Sequence, residues 1–194
     1  MIPVDQQVAL LMNGAQYGDD ALARNMREAL RQRLADAATD GRALQVYCGY
    51  DVTGPHLHLG HTVTLRKLRQ FQDLGHEVTV LIGTFTTTIG DASDRETART
   101  IPSEAHIREH ARQYIDQVYL ILDPARTTVR YNADWLGRLS FKDIIEFGSL
   151  FTAQQLLVRD NFRQRYQDGD PIWLRELLYP LAQGYDAVAL EADV

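Results

Sequence analysis

Cysteine is almost absent from this sequence. Cys48 is the single cysteine among 194 residues, so the chain cannot form an internal disulfide, and a reducing compartment is expected. An excess of positive charge is also lacking, because the formal net charge is −6 at pH 7. A surface devoted to polyanion binding is therefore not indicated, although a local basic patch is compatible with this charge.

Export signals, long apolar runs and repeats are also missing. The first twenty residues contain no basic stretch that leads into an apolar segment, and no run of about eighteen apolar residues occurs anywhere. The sequence predicts a cytoplasmic protein with no membrane contact. No repeat or Pro/Gly/Ser-rich linker marks a domain boundary, and the 45% of apolar residues is enough for a sizeable core.

A strand, a loop, a helix and a second strand follow one another between residues 44 and 82. Leu44–Gly49 has the pattern of a short buried strand, Thr62–Leu74 has a helical period, and Val78–Ile82 is a second apolar strand. This order predicts a βαβ unit of an α/β fold. Ligands of such units lie beyond the carboxyl ends of the strands, so the loop Asp51–His61 is the expected binding site.

The rest of the chain is predicted to be mainly helical. The last residues, ALEADV, resemble the start of a further strand, so we expect a truncated chain whose sheet is incomplete at the C-terminus and has an open edge. The predicted helices are Val4–Ala38, Glu104–Leu122, Ser140–Gly148, Thr152–Gln167 and Pro171–Asp186, and a strand is predicted at Thr128–Asn132.

The expected binding loop contains three histidines, His56, His58 and His61, in a span of six residues. They could form a metal site, although His58 and His61 straddle a helix start and no cysteine or carboxylate completes a tetrahedral set. They could be solvent-exposed loop residues. They could also form an anion site, because a helix N-terminus offers unpaired N–H groups and Gly60 allows close approach of a phosphate.

The tetrapeptide His58-Leu59-Gly60-His61 resembles the HIGH motif of class I aminoacyl-tRNA synthetases, and its setting YCGYDVTGPHLHLGH is similar to that of the tyrosyl branch. The similarity continues through LRKLRQFQDLGHEVTVLIG, IGDASDRETAR, WLGRLSF and LLYPLAQGYDAVALEADV. This resemblance implies a Rossmann-like nucleotide-binding fold with a parallel sheet. Residues 1–194 would form part of the catalytic domain, and residues from about 135 to 170 would form its helical connective insertion.

The resemblance also implies ATP-dependent activation of L-tyrosine to tyrosyl-adenylate and its transfer to tRNA(Tyr). ATP and its accompanying Mg²⁺ would be substrates, and no protein-bound metal cluster is implied. Positioning and electrostatic stabilisation should dominate such chemistry. The catalytic residues carried over from the family are Thr53, His58, His61, Arg95 and Arg99, and the ATP contacts are Gly49, Asp51, His58, Gly60, His61 and Cys48.

Tyrosine selection is assigned by the resemblance to two groups of side chains. Tyr47 and Asp186 would hold the phenolic hydroxyl, whereas Tyr179, Gln183 and Asp91 would hold the ammonium group. Buried partners for the hydroxyl are left unpaired when phenylalanine binds, a principle for which the tyrosine-activating enzyme is the standard example. The spacing of residues 179, 183 and 186 places them on one face of a helix.

In this family the connective insertion builds a dimer interface, so a homodimer is expected. The residues expected at the interface are Phe141, Ile144, Ile145 and Phe147.

Four positions depart from the family pattern, and loss of proline and glycine changes turn preferences in the loop that carries Arg95 and Arg99. The departures are Val52, Thr84, Ala92 and Asp94.

The family's GGxDQ and KMSKS segments do not occur in the 194 residues, so we expect this chain as given to activate tyrosine weakly or not at all, and a longer parent to be competent. Two alternative functions stay open. A tryptophanyl-tRNA synthetase shares the fold and a similar YPxxQ region. A non-catalytic paralogue or fragment would keep the fold as a binding module.

Overall fold

Three parallel strands form one sheet in the part of the chain that the computed structural model describes, residues 2–90 and 103–194. Their order is β1-β2-β3, with β1 at Gln45–Tyr50, β2 at Glu77–Ile82 and β3 at Thr127–Tyr131. The register sets Val46 opposite Val78, and Val78 opposite Thr127. The predicted α/β class and parallel sheet are confirmed.

Ten α-helices accompany the sheet within the same described ranges. They are α1 (Val4–Met12), α2 (Asp20–Thr39), α3 (Leu59–Asp73), α4 (Thr86–Ile89), α5 (Glu104–Val118), α6 (Ala133–Leu136), α7 (Phe141–Gly148), α8 (Ala153–Leu157), α9 (Asp160–Asp168) and α10 (Leu174–Ala189). A 3₁₀ turn at Pro124–Arg126 precedes β3. None of these helices combines the length and the apolar character that a bilayer crossing requires.

The single helix predicted from Val4 to Ala38 is wrong, because the segment forms two helices, α1 and α2. Gly14 adopts a φ of 79°, a left-handed conformation that ends a helix readily. Asp19 then starts α2 by accepting a hydrogen bond from the Leu22 N–H at 2.7 Å. The turn residues of the connecting segment NGAQYGDD were the signal for this break.

The helix predicted over Thr152–Gln167 is also two helices, α8 and α9. Arg159 between them has an extended backbone, with φ −62° and ψ 139°, and this interrupts the helical hydrogen bonds. The sequence pattern also missed α4 and α6, which are each four residues long. Both follow directly after the end of a strand, and both contribute to the site described below.

The core lies on both sides of the central strand β2. Val78, Val80 and Ile82 on one face and Leu81 on the other are at most 1% exposed, as expected for a parallel strand that is covered on both faces. Gln72 of α3 is fully buried; its amide donates to Arg126 O at 2.9 Å and Thr127 Oγ1 at 2.8 Å, and accepts from Asp123 N at 3.2 Å. Gln72 thus joins α3 to the start of β3.

The last residues lie extended beside β1. Val194 N donates to Gln45 O at 3.2 Å and Tyr47 N donates to Val194 O at 3.0 Å, the pattern of one parallel bridge. Asp193 strengthens this contact, because its carboxylate accepts from Arg42 at 2.6 and 3.0 Å and from Gln45 N at 2.9 Å. The last residues thus lie along β1, but within the described ranges they form no strand of the three-stranded sheet.

Candidate active site

The site lies where the carboxyl ends of the three strands meet. Strand β1 leads into the loop that carries His58, β2 leads into α4, and β3 leads into α6. Because the strands are parallel, polar residues that follow them gather at one edge of the sheet. Helix α10 packs against α4 at the same edge, so four chain segments contribute side chains to it.

The two motif histidines form the N-terminal cap of α3. His58 is the N-cap residue, and its Nδ1 accepts a hydrogen bond from the Gly60 N–H at 3.1 Å. His61 returns the contact, since its Nδ1 accepts from the His58 N–H at 3.1 Å. Their ring centroids are 3.9 Å apart. The pair therefore makes a reciprocal capping box from imidazoles instead of the usual hydroxyl and carboxyl groups.

This cap determines the tautomer of both rings. An Nδ1 atom that accepts a hydrogen bond carries no proton, so the neutral ring carries its proton on Nε2. Burial lowers the pKa of His61, and the neighbouring charge of His58 lowers it further, which favours the neutral form. Each ring can therefore present an Nε2–H donor at the positive end of the α3 dipole, an arrangement suited to an anion.

Gly60 is required by the position of the His58 ring. A Cβ atom at Gly60 would lie 2.8 Å from Cε1 and 2.9 Å from Nδ1 of His58, closer than a side chain can approach. The ring thus occupies the space that any other residue at position 60 would fill. The space taken by the His58 ring therefore explains why the motif has a glycine at position 60 in this chain.

Asp51 follows β1 and is held from two other elements. Thr86 of α4 donates to its Oδ1 at 2.6 Å, and Tyr179 of α10 donates to its Oδ2 at 3.1 Å. A Cβ at Gly83 would lie 1.9 Å from Oδ1, so the glycine after β2 makes room for the carboxylate. The predicted ATP contact Asp51 and the predicted tyrosine contact Tyr179 are directly hydrogen-bonded.

Asp186 of α10 is buried, with 4% of its surface exposed. Trp135 Nε1 donates to its Oδ1 at 2.8 Å, and Asn132 Nδ2 donates to its Oδ2 at 3.2 Å. Burial raises the pKa of the Asp186 carboxyl, and these two hydrogen bonds oppose the rise. Asn132 also donates to Thr86 Oγ1 at 3.0 Å, so one buried network joins Asp51 to Asp186.

Tyr47 of β1 is half-buried near this network. Burial raises the pKa of its phenol, and the negative charge of Asp186 raises it further. Tyr47 and Asp186, the two residues predicted to bind the substrate hydroxyl, therefore lie near enough for their charges to interact. Within residues 2–90 and 103–194, the Tyr47 hydroxyl makes no hydrogen bond. Gly49 shares its face of the strand, whereas Cys48 lies on the opposite face, where burial raises the pKa of its thiol.

Other predicted residues make fewer contacts. Gln183 is exposed although it shares α10 with Tyr179 and Asp186, and Thr53 and His56 are exposed in the loop after β1. Their assigned roles stay predictions. Several predicted positions lie outside the described residues: Asp91, Arg95 and Arg99, together with the departures Ala92 and Asp94.

The structure explains the other two departures from the family pattern. Val52 is fully buried, and its N–H donates to Thr87 Oγ1 at 3.1 Å, a bond that a proline at this position could not make. Thr84 accepts from the Ala133 N–H at 3.3 Å, where α6 begins. Both residues therefore tie the ends of the strands together.

Sequence reasoning missed several residues of this network. The threonine-rich run TFTTTIG after an apolar strand was a usable signal for Thr86 and Thr87, because hydroxyl groups often satisfy loop backbone. Asn132, at the end of a predicted strand, was another. Nothing local to Trp135 shows that it would meet Asp186, which lies 51 residues away.

The described residues contain no group of three or more His, Cys, Asp and Glu side chains that could hold a metal ion. His58 and His61 use their Nδ1 atoms for backbone hydrogen bonds, which leaves their Nε2 atoms for a ligand. The interpretation of the histidine cluster as an anion site stays a prediction.

A family model described as "tRNA synthetases class I (W and Y)" matches residues 39–194. The tyrosine–tRNA ligase of Desulfotalea psychrophila is 44% identical over 194 residues, which cover 100% of this chain and 46% of that protein. The tyrosine–tRNA ligase of Carboxydothermus hydrogenoformans is 45% identical over 167 residues, covering 86% and 41%. The chain spans less than half the length of these curated relatives.

Solved structures share the fold. A C-terminally truncated mitochondrial tyrosyl-tRNA synthetase from Coccidioides posadasii aligns with a TM-score of 0.72 at 22% identity, over 98% of this chain and 52% of that one. A tyrosyl-tRNA synthetase from Archaeoglobus fulgidus, complexed with L-tyrosine, gives a TM-score of 0.71 at 20% identity, over 98% and 53%. At these identities the likeness shows the architecture alone.

Proposed function

The chain belongs to the class I tRNA synthetases of the tryptophan and tyrosine group, and from this premise we propose that it supplies the tyrosine-activating site of a tyrosine–tRNA ligase. The reaction would join L-tyrosine to ATP as tyrosyl-adenylate, and the complete enzyme would transfer the tyrosyl group to tRNA(Tyr). The observation that carries the proposal is the buried carboxylate of Asp186, held by two donors close to Tyr47.

The phenolic end of the substrate would bind at Asp186 and Tyr47. A carboxylate offers about four acceptor positions, and Trp135 and Asn132 use one on each oxygen. The phenol of the substrate can donate to a remaining position and accept from the hydroxyl of Tyr47. Phenylalanine would leave these desolvated groups unpaired, which is the physical basis for rejecting it.

The ammonium end would bind toward Tyr179, together with Gln183 and Asp91. The Tyr179 hydroxyl donates to Asp51 at 3.1 Å, so its oxygen lone pairs are oriented to accept from a cation. This orientation by Asp51 supports Tyr179 as an ammonium ligand. Asp51 itself would lie between the amino acid and the ATP.

The phosphates of ATP would bind at the N-terminus of α3. The Nε2–H groups of His58 and His61, with the helix dipole, favour the negative charge that develops as the tyrosine carboxylate attacks the α-phosphorus. Thr53, Arg95 and Arg99 would hold the departing pyrophosphate. Gly49 and Cys48 would contact the nucleoside, and Mg²⁺ would arrive as part of the ATP substrate.

The wider assignments are part of the same proposal. Residues 1–194 would be a portion of the catalytic domain, and residues from about 135 to 170 would be the connective insertion that builds a homodimer. Exposed apolar side chains support this interface, because Phe141 is 80% and Ile145 is 58% exposed. The cytoplasm is the proposed location, and the single cysteine is compatible with such a reducing compartment.

Amino-acid-dependent exchange of pyrophosphate into ATP tests the proposal, with tyrosine, tryptophan and phenylalanine measured side by side. We expect stimulation by tyrosine alone, at a low rate for this chain. Stimulation by tryptophan alone would reassign the substrate. Calorimetry with a non-hydrolysable tyrosyl-adenylate analogue complements the assay, because a pure binding module should give no heat of binding.

A further inference from the structure

The loop between β1 and α3 carries the first motif histidine but is not held by backbone contacts. In the described part of the chain, no backbone-to-backbone hydrogen bond involves residues 52–57. Such a loop has no regular structure to define its path. The path of the chain that leads into His58 therefore depends on side chains from other elements.

Two side chains hold this loop, one near each end. Thr87 of α4 accepts from the Val52 N–H at 3.1 Å, near β1. Gln117 of α5 holds the end that leads to the motif, because its Oε1 accepts from the Leu57 N–H at 2.9 Å and its Nε2 donates to Pro55 O at 3.0 Å. One amide thus pairs with the C=O and the N–H on one edge of a short peptide segment, as a neighbouring strand would.

Gln117 is itself well supported. Its Nε2 also donates to Gln113 O at 2.8 Å, within the same helix, and this fixes the orientation of the amide. The helix is anchored in the core by side chains that are at most 2% exposed, among them Tyr114 and Val118. The ring of Tyr114, one turn earlier, contacts the ring of His61 at 6.3 Å between centroids, so α5 touches the motif at two points.

We propose that Gln117 is a positioning residue for the phosphate site, which sets the orientation of His58 by clamping Pro55 and Leu57 immediately before it. Leu57 is joined directly to the N-cap residue of α3, so fixing its peptide fixes where the reciprocal histidine cap begins. The inference rests on the proposed function of His58 and His61 as phosphate ligands. Gln117 itself touches no substrate; it acts through the loop.

The test compares Gln117→Leu with Gln113→Leu, the same substitution one turn earlier on α5. The side chain of Gln113 bonds Glu109 and not the loop, so Gln113→Leu is the matched control. Calorimetry measures two affinities of each variant, one for L-tyrosine and one for a non-hydrolysable imido analogue of ATP with Mg²⁺. Two lost hydrogen bonds should weaken the ATP analogue about tenfold in Gln117→Leu, with tyrosine affinity unchanged within about twofold.

A spectroscopic measurement reports the clamp without any ligand. Nitrogen-15 spectra of the imidazoles should show Nε2-protonated rings for His58 and His61 in the wild type and in Gln113→Leu, and mixed tautomers in Gln117→Leu. Gln117→Glu keeps the acceptor for Leu57 but loses the donor to Pro55, so it should fall between the wild type and Gln117→Leu in ATP-analogue affinity.

Two outcomes would overturn the inference. One is unchanged ATP-analogue affinity and unchanged imidazole spectra in Gln117→Leu. The other is an equal loss of tyrosine and ATP-analogue affinity, which would assign Gln117 a general structural role. A wild-type chain that binds no ATP analogue would contradict the proposed function instead, and the imidazole spectra would still decide whether the clamp orients His58.

Discussion

The ring of His58 lies over Gly60, so the smallest side chain at position 60 should disturb the cap. In Gly60→Ala the new methyl group would lie 2.8 Å from Cε1 of His58 and force the ring away. We expect ATP-analogue affinity to fall about tenfold, which corresponds to about 1.4 kcal/mol. Global stability should change little, because alanine favours the helix by up to about 1 kcal/mol.

Gly54→Ala is the control for this prediction, because no atom lies within 4 Å of a Cβ built at Gly54 in the same loop. Binding of the ATP analogue, measured by calorimetry, should be the same as in the wild type. Equal affinities in Gly60→Ala and Gly54→Ala would show that the His58 ring does not need its present position.

Asp186 depends on Trp135 for one of its two donors, so Trp135→Phe should weaken tyrosine binding. The substitution keeps an aromatic ring but removes the Nε1–H that donates at 2.8 Å. A hydrogen bond to a buried charge contributes about 1.5–3 kcal/mol, and we expect a loss of L-tyrosine affinity of that size. Trp173→Phe, at a residue 62% exposed, should have no effect, and calorimetry that finds both variants alike would contradict the assigned network.

At the scale of elements, two histidines connect helices to the sheet in their neutral form. His61 caps α3, and His76 at the start of β2 accepts from Leu44 N at 3.3 Å and donates to Gln7 Oε1 at 3.1 Å. Burial is the main cause that lowers the pKa of each ring below 6.5. Protonation of either Nδ1 removes a hydrogen bond that the fold uses.

The sign of the pH dependence follows from these lowered pKa values. Well above pH 6.5 both rings are neutral in the folded and the unfolded chain, so their stabilisation is complete. As the pH falls from 6.5 through the folded pKa, the unfolded chain binds protons first and the free energy of unfolding decreases. Urea unfolding between about pH 7.5 and about pH 5.5 measures this slope.

His76→Gln should make this pH slope shallower, because it removes one of the two rings whose pKa is lowered in the folded chain. His56→Gln is the control, since His56 is exposed in the loop and its replacement should leave the curve unchanged. A free energy of unfolding that stays constant over this pH range would contradict the assignment of neutral, buried rings.

For the whole molecule, the exposed apolar side chains are concentrated in helices α7 to α10 and their connections. Large exposed apolar patches usually mark protein interfaces, and a symmetric dimer would cover the same patch on both copies. The residues are Phe141, Ile145, Leu150, Phe151, Val158, Tyr166, Trp173, Leu174, Leu178 and Val188, with exposures from 37% to 80%.

We therefore expect the chain to sediment as a dimer and the double variant Phe141→Glu/Ile145→Glu to sediment as a monomer. Two charges at these positions cannot be buried against a second copy without a large desolvation cost. Leu120→Glu is the control, because Leu120 is 83% exposed and lies outside that patch. A monomeric wild type, or a dimer that survives the double substitution, would contradict the proposed interface.

Local patterns predicted most of the sheet. The strands expected at 44–49, 78–82 and 128–132 form at 45–50, 77–82 and 127–131, because runs of buried apolar residues depend on near neighbours in sequence. The α3 cap was also predictable, since the residues that make it are consecutive. The long helix expected over residues 4–38 is broken at Gly14, and the two glycines of the segment NGAQYGDD were the local signal for that break.

The sequence by itself determined the fold class, the position of the loop between β1 and α3, and the family, because each depends on residues close together or on ordered motifs. Only the tertiary structure decided which groups hold the two carboxylates: Tyr179 reaches Asp51 across 128 residues, and Trp135 reaches Asp186 across 51. Gln117 meets its loop in the same way, 60 residues from Leu57. Such partners are chosen when helices pack on the sheet, and no local propensity specifies that packing.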